Sequence, residues 1–97
     1  MKYRLVVKDE AIQDMTEGFA WYEDIRIGLG VEFLGEVDEY FNKIVQNPEQ
    51  YQAHQSQRIA IMFRFPYKIV FEIEKDIIVV YAVYHEKRDP EKLIDRK

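Results

Sequence analysis

The chain has no cysteine, and its 97 residues include only two histidines, three prolines, four glycines and one tryptophan. The missing cysteine excludes disulfides, thiolate metal sites and a cysteine nucleophile, and it fits a reducing compartment. No apolar run approaches the ~20 residues of a membrane span. The opening MKYRLVVKDE also lacks the apolar stretch of a signal peptide. The expectation is a soluble, cytoplasmic protein with no membrane partner. Histidine and carboxylates do not cluster at metal-ligand spacing, so no metal and no cofactor is expected. Positive charge is short as well. The net charge is −4, with five Lys/Arg against eleven Asp/Glu in residues 1–56 and nine against seven in residues 57–97. An acidic chain is a poor general binder of phosphate backbones, so any nucleic-acid contact must come from the C-terminal part.

A chain this long forms one domain, 1–97, and buries roughly two-thirds of its unfolded surface in a modest core. Residues 1–8 alternate, with Tyr3, Leu5 and Val7 on one side and Lys2, Arg4 and Lys8 on the other, which predicts a half-buried strand. Asp9 then offers an N-cap, and Glu10 and Asp14 put negative charge near a helix start, where the dipole favours it. Ile12, Met15, Phe19, Tyr22 and Ile25 or Arg26 recur at three and four and predict one buried stripe. Gly18 weakens this helix by about 1 kcal/mol relative to alanine and is a candidate for close helix–helix approach. Gly28-Leu29-Gly30 follows a helix and lacks the Lys-Ser/Thr of a phosphate loop, so it reads as a tight connector. A second helix carries Phe33, Leu34, Val37, Tyr40 or Phe41, and Ile44 inward, and Glu32, Glu36, Asp38 and Glu39 outward. Asn47-Pro48 stops it, leaving two helices as an antiparallel hairpin.

Residues 49–57 read as a polar loop anchored by Tyr51. A strand over 58–65 is expected to place Ile59, Ile61, Phe63 and Phe65 on one face and Arg58, Ala60, Met62 and Arg64 on the other. Residues 67–74 alternate in the same way. After a turn at 74–76, a strand over 77–84 is apolar on both sides and therefore belongs inside the sheet. A short helical turn is expected after Pro90. The fold class is α+β with the order β-α-α-β-β-β: a helical hairpin covers one face of a small, mainly antiparallel sheet and leaves the other face open.

Several short motifs run through this frame in order: Trp21-Tyr22-Glu23, Gly28-Leu29-Gly30 with Phe33, Asn47-Pro48 with Tyr51, then Arg58, Arg64-Phe65-Pro66-Tyr67, Ala82-Val83-Tyr84-His85 and Arg88-Asp89-Pro90. Together they resemble the RelE/ParE toxin superfamily, and their spacing is closer to the ParE-like plasmid stabilisation branch. The resemblance implies the same β-α-α-β-β-β fold and a toxin of a type II toxin–antitoxin module, bound and neutralised by a cognate antitoxin. ParE-like members inhibit growth by binding DNA gyrase. RelE-like members are ribosome-dependent mRNA endonucleases. A third alternative is a non-toxic family member that persists as a binding module.

Whether the chain is an enzyme stays open at this point. A metal-independent endoribonuclease needs a base, an acid and cations around one phosphate, and the candidates are Arg58, Arg64, His85 and Arg88. Each has a plainer reading: His85 capping a strand end, Arg58 and Arg64 paired to Glu72, Glu74 or the tail, Arg88 paired to Asp89. His54 reads as a solvated loop residue, and Glu32, Glu36 and Glu39 as a solvated helix face. Trp21 and Tyr22 are adjacent on a helix, so they point in different directions, one into the core and one outward. Trp21, Tyr22 and Lys87 are the candidate partner-binding residues.

Overall fold

The computed structural model describes residues 3–87. The elements are β1 (Arg4–Val7), α1 (Asp9–Ile25), α2 (Leu29–Gln46), a 3-10 turn (Pro48–Gln50), β2 (Ala53–His54), β3 (Gln57–Ile61), β4 (Tyr67–Glu74) and β5 (Ile77–His85). The strands make one sheet in the order β1-β5-β4-β3-β2. β1 runs parallel to β5, and the remaining pairs are antiparallel. The fold is therefore α+β, two helices on a five-stranded, mostly antiparallel sheet. Arg88, Asp89, Pro90 and the helical turn expected after them lie outside the described residues.

The core lies between the hairpin and one face of the sheet. Phe33, Val37, Phe41 and Ile44 of α2 meet Ile69, Phe71, Ile78, Val80 and Val83 there. Each large apolar side chain buried this way contributes about 1.5–3 kcal/mol. The opposite face carries a smaller cluster of Val70, Ala82 and Tyr84 with Ile59 against it. β5 is thus an inner strand that is apolar on both sides, and a register shift at Val70/Phe71 redistributes its faces. Ala82 pairs with Val70 and Val80 with Phe71, so Tyr81 is the extra residue of a bulge.

Four expectations are corrected by the geometry. Lys8, not Asp9, is the N-cap of α1 and makes no side-chain cap bond, while Asp9 and Glu10 sit in the first turn. The buried stripe of α1 is Ala11, Asp14, Gly18 and Tyr22, with Ile12 and Ile25 exposed. Gly18 permits this rotation, because an added Cβ would sit 2.7 Å from the Phe33 ring. The strand expected over 58–65 ends at Ile61, and Phe65, expected on one face with Ile61 and Phe63, is buried. Ala60 and Met62 are buried while Ile61 and Phe63 are exposed. Polar residues 49–57, read as a loop, also hold the 3-10 turn and the two-residue β2.

Candidate functional site

The connector between the helices is fixed by a side chain from the helix it follows. Glu23 of α1 accepts the amide hydrogens of Gly28 (2.8 Å) and Gly30 (2.9 Å) through its two carboxylate oxygens. These amides lie at the start of α2, where N–H groups have no intrahelical partner and negative charge is favoured. Gly28 holds φ +93°, and a Cβ at Gly30 would come within 2.6 Å of the Phe19 carbonyl oxygen. Both glycines are therefore dictated by backbone geometry.

A second carboxylate fixes the segment between β3 and β4. Glu36 accepts three consecutive amide hydrogens, from Phe63 (3.2 Å), Arg64 (2.8 Å) and Phe65 (3.0 Å). Arg64 in turn hydrogen-bonds Glu32, which also faces Arg26 at 3.6 Å. The Arg64 hydrogen bond holds the Glu32 carboxyl below the ordinary carboxylate range against a smaller opposing effect of desolvation. Glu32 and Glu36 are thus ligands of the 63–65 segment, where the sequence read them as a solvated face.

The cationic candidates occupy different parts of the sheet. Arg58 donates to the carbonyls of Tyr51 (2.8 Å) and Glu49 (3.4 Å) and so ties the 3-10 turn to β3. It sits opposite Phe71, whereas His85 sits opposite Tyr67. Four residues of β4 separate those positions, about 13 Å along the strand. The His85 ring stands edge-on to Tyr67, with centroids 5.3 Å apart, and its Nδ1 accepts the Lys87 amide hydrogen at 3.0 Å. In the neutral ring the proton then sits on Nε2. Arg64 lies near the same end of the sheet, where the Glu86 amide bonds the Pro66 carbonyl at 2.9 Å, but its guanidinium is held on α2. Arg88 is outside the described residues.

Of the candidate partner-binding residues, Lys87 is exposed and Trp21 is 52% exposed. Tyr22 is not a surface anchor. It is buried against Phe65 (4.8 Å between centroids) and Phe33 (5.4 Å), inside an aromatic cluster that continues to Tyr67. Between the helices, Ile12, Met15, Thr16 and Phe19 of α1 and Leu34 of α2 line an open apolar groove of about 240 Å³. Among the described residues no three His, Cys, Asp or Glu side chains gather as a metal site, and no helix is long and apolar enough to cross a membrane.

A chain of the solved "Chromosomal ParDE TA system from P. aeruginosa" superimposes with a TM-score of 0.77 at 14% sequence identity, covering 86% of this chain and 95% of that one. The fold is that of this ParDE chain. No protein-family model and no curated protein matches the sequence. This chain reaches that fold at low sequence identity, with its helical hairpin, parallel β1–β5 pair and antiparallel β3-β4-β5 meander. Residues of the short motifs have structural work to do: Glu23 clamps the Gly28–Gly30 connector, and Tyr67 stands against His85.

Proposed function

We propose that this chain is the toxin of a type II toxin–antitoxin module, held inactive by a cognate antitoxin, and that it acts in the ParE manner, by binding DNA gyrase. The observation that carries this reading is the likeness to the solved ParDE chain over nearly its whole length. The groove between the helices supports the antitoxin part. Ile12, Met15, Phe19 and Leu34 form an apolar lining suited to an amphipathic segment. Both partners would be met in the cytoplasm.

Binding is preferred to RNA cleavage because of where the cations are. A ribosome-dependent mRNA endonuclease needs them around one phosphate, but Arg58 is bound to the Tyr51 and Glu49 carbonyls and Arg64 to Glu32. The acidic chain also favours a protein target over a phosphate backbone.

Inducible expression in a bacterial host tests the reading. Growth arrest is expected, with rescue by the protein encoded beside this gene and loss of rescue when Met15→Glu and Leu34→Glu are combined. Purified protein is expected to inhibit gyrase supercoiling. Absence of both arrest and complex formation overturns the toxin assignment. If arrest comes with new mRNA cleavage sites that vanish in His85→Ala, the nuclease alternative replaces gyrase binding.

A further inference from the structure

The least buried large apolar side chain among the described residues stands on one of the most firmly held loops. Phe63 is 93% exposed, although Met62 and Phe65 on either side are 3% and 5% exposed. The loop is held at both ends, by the Met62 amide on the Tyr67 carbonyl (2.9 Å) and by the three amides bound to Glu36. An aromatic ring displayed on fixed backbone loses little conformational freedom on binding, and such residues dominate protein interfaces. Beside the ring lies a hollow of about 330 Å³ lined by Glu32, Gly35, Glu36, Glu39, Phe63 and Arg64. Gly35 keeps its floor open, since a Cβ there would meet nothing within 4 Å. Glu32 is paired with Arg64 and Arg26 and Glu36 with three backbone amides, which leaves the Glu39 carboxylate to attract a cation into the hollow. An aromatic edge beside carboxylates suits the stem and head of an arginine or lysine.

We propose that Phe63 and this hollow are the surface on which the growth-essential target docks. The target is a protein that seats an arginine or lysine in the hollow and takes the Phe63 ring in an apolar pocket. The proposal rests on the toxin reading above and adds the surface through which it works. That surface is separate from the hairpin groove. At 100° per residue, Glu32, Glu36 and Glu39 lie on the side of α2 roughly opposite Leu34. The antitoxin groove and the target surface thus occupy different flanks of one helix.

The test uses Phe63→Ser and Glu39→Lys in the full chain under inducible expression. Each is expected to abolish growth arrest by weakening the target complex about 30-fold, the loss typical of a hot-spot residue. Each is also expected to keep the wild-type thermal midpoint and the complex with the protein encoded beside this gene. Arrest by either variant at the wild-type inducer concentration overturns the target surface and leaves the toxin reading standing. Absence of arrest by the wild type overturns the target surface, and it overturns the toxin reading as well when no complex with the neighbouring protein forms. Phe63→p-benzoylphenylalanine adds a chemical readout in cells. A protease-sensitive adduct that is lost in combination with Glu39→Lys is expected, and an adduct removed by nuclease instead overturns the assignment to a protein.

Discussion

Asp14 Oδ2 on α1 accepts the amide hydrogen of Val83 on β5 at 3.0 Å, and both residues are buried. The cause lies in the sheet. β1 pairs with β5 only from Ile77 to Val80, after which the chain leaves the sheet through Lys8 to begin α1. The Val83 amide therefore has no β1 residue to meet, and a buried donor without a partner costs about 1–3 kcal/mol. Asp14 supplies the acceptor from the helix that replaces the strand. Asp14→Ala is expected to lower stability by about 1.5–3 kcal/mol, the range for a hydrogen bond to a charged group. Asp14→Asn, which keeps an acceptor oxygen, should lose less. Urea unfolding reads this as a lower midpoint at unchanged slope, and equal losses in the two variants would contradict the role given to the carboxylate.

Two glycines of α2 separate backbone necessity from accident. At Gly30 an added methyl would meet the Phe19 carbonyl oxygen at 2.6 Å and Glu23 Oε1 at 2.8 Å, and neither can yield without moving the helix connection. Gly30→Ala is expected to cost at least the ~1–3 kcal/mol of an overpacked site. Gly35 has open space around it, so Gly35→Ala should raise stability by up to about 1 kcal/mol through helix propensity. Thermal unfolding of the two variants should shift in opposite directions.

Much of this architecture is written in patterns of one period. β4 alternates Tyr67, Ile69 and Phe71 inward without interruption, and α2 repeats Phe33, Val37, Phe41 and Ile44, so both were legible. α1 was read about one residue out of phase, because its core face is built from Ala11, Asp14 and Gly18, which carry no apolar signal. Their small size and the one buried carboxylate suit the close approach of Phe33 and the Val83 amide. β3 is shorter than the alternation over 58–65 suggests, and Ala60 and Met62 meet the core while Ile61 and Phe63 are exposed. The chain leaves the strand after Ile61, which lets Phe65 turn inward while Phe63 remains out. Among the candidate site residues, Trp21 and Tyr22 were predicted to diverge, and they do. Glu23 and Glu36 were not legible as clamps. Each acts on backbone amides, five to seven residues away for Glu23 and about 28 for Glu36, and a backbone donor leaves no mark in the sequence.

Glu32 gives a pH dependence with a definite sign. Its carboxyl is held below the usual value of 4.5, chiefly by the hydrogen bond from Arg64. A depressed folded-state pKa contributes stability that is present above the unfolded value and is lost as pH falls through the folded one. The Glu32–Arg64 contact should therefore persist down to the usual carboxylate range and open below it. Carboxyl-carbon NMR should place the Glu32 midpoint below 4.5. Arg64→Gln should move that midpoint upward, and an unchanged midpoint in this variant would remove Arg64 as the cause.

Glu36 is expected to control the order of the segment that carries Phe63. Its carboxylate is the acceptor for the amides of Phe63, Arg64 and Phe65. Replacing it leaves three neighbouring N–H groups to water, while the Met62–Tyr67 bond and the buried Phe65 ring still hold the ends of the loop. Glu36→Ala should therefore speed hydrogen exchange at residues 63–65 by about tenfold or more without a matching change at Ile69 or Val83, whose protection follows sub-global opening of the sheet. Glu36→Gln keeps one acceptor oxygen and should fall between the wild type and the alanine variant. Uniform acceleration across the whole sheet would mean that Glu36 supports global stability instead, and the fixed display of Phe63 would then need another cause.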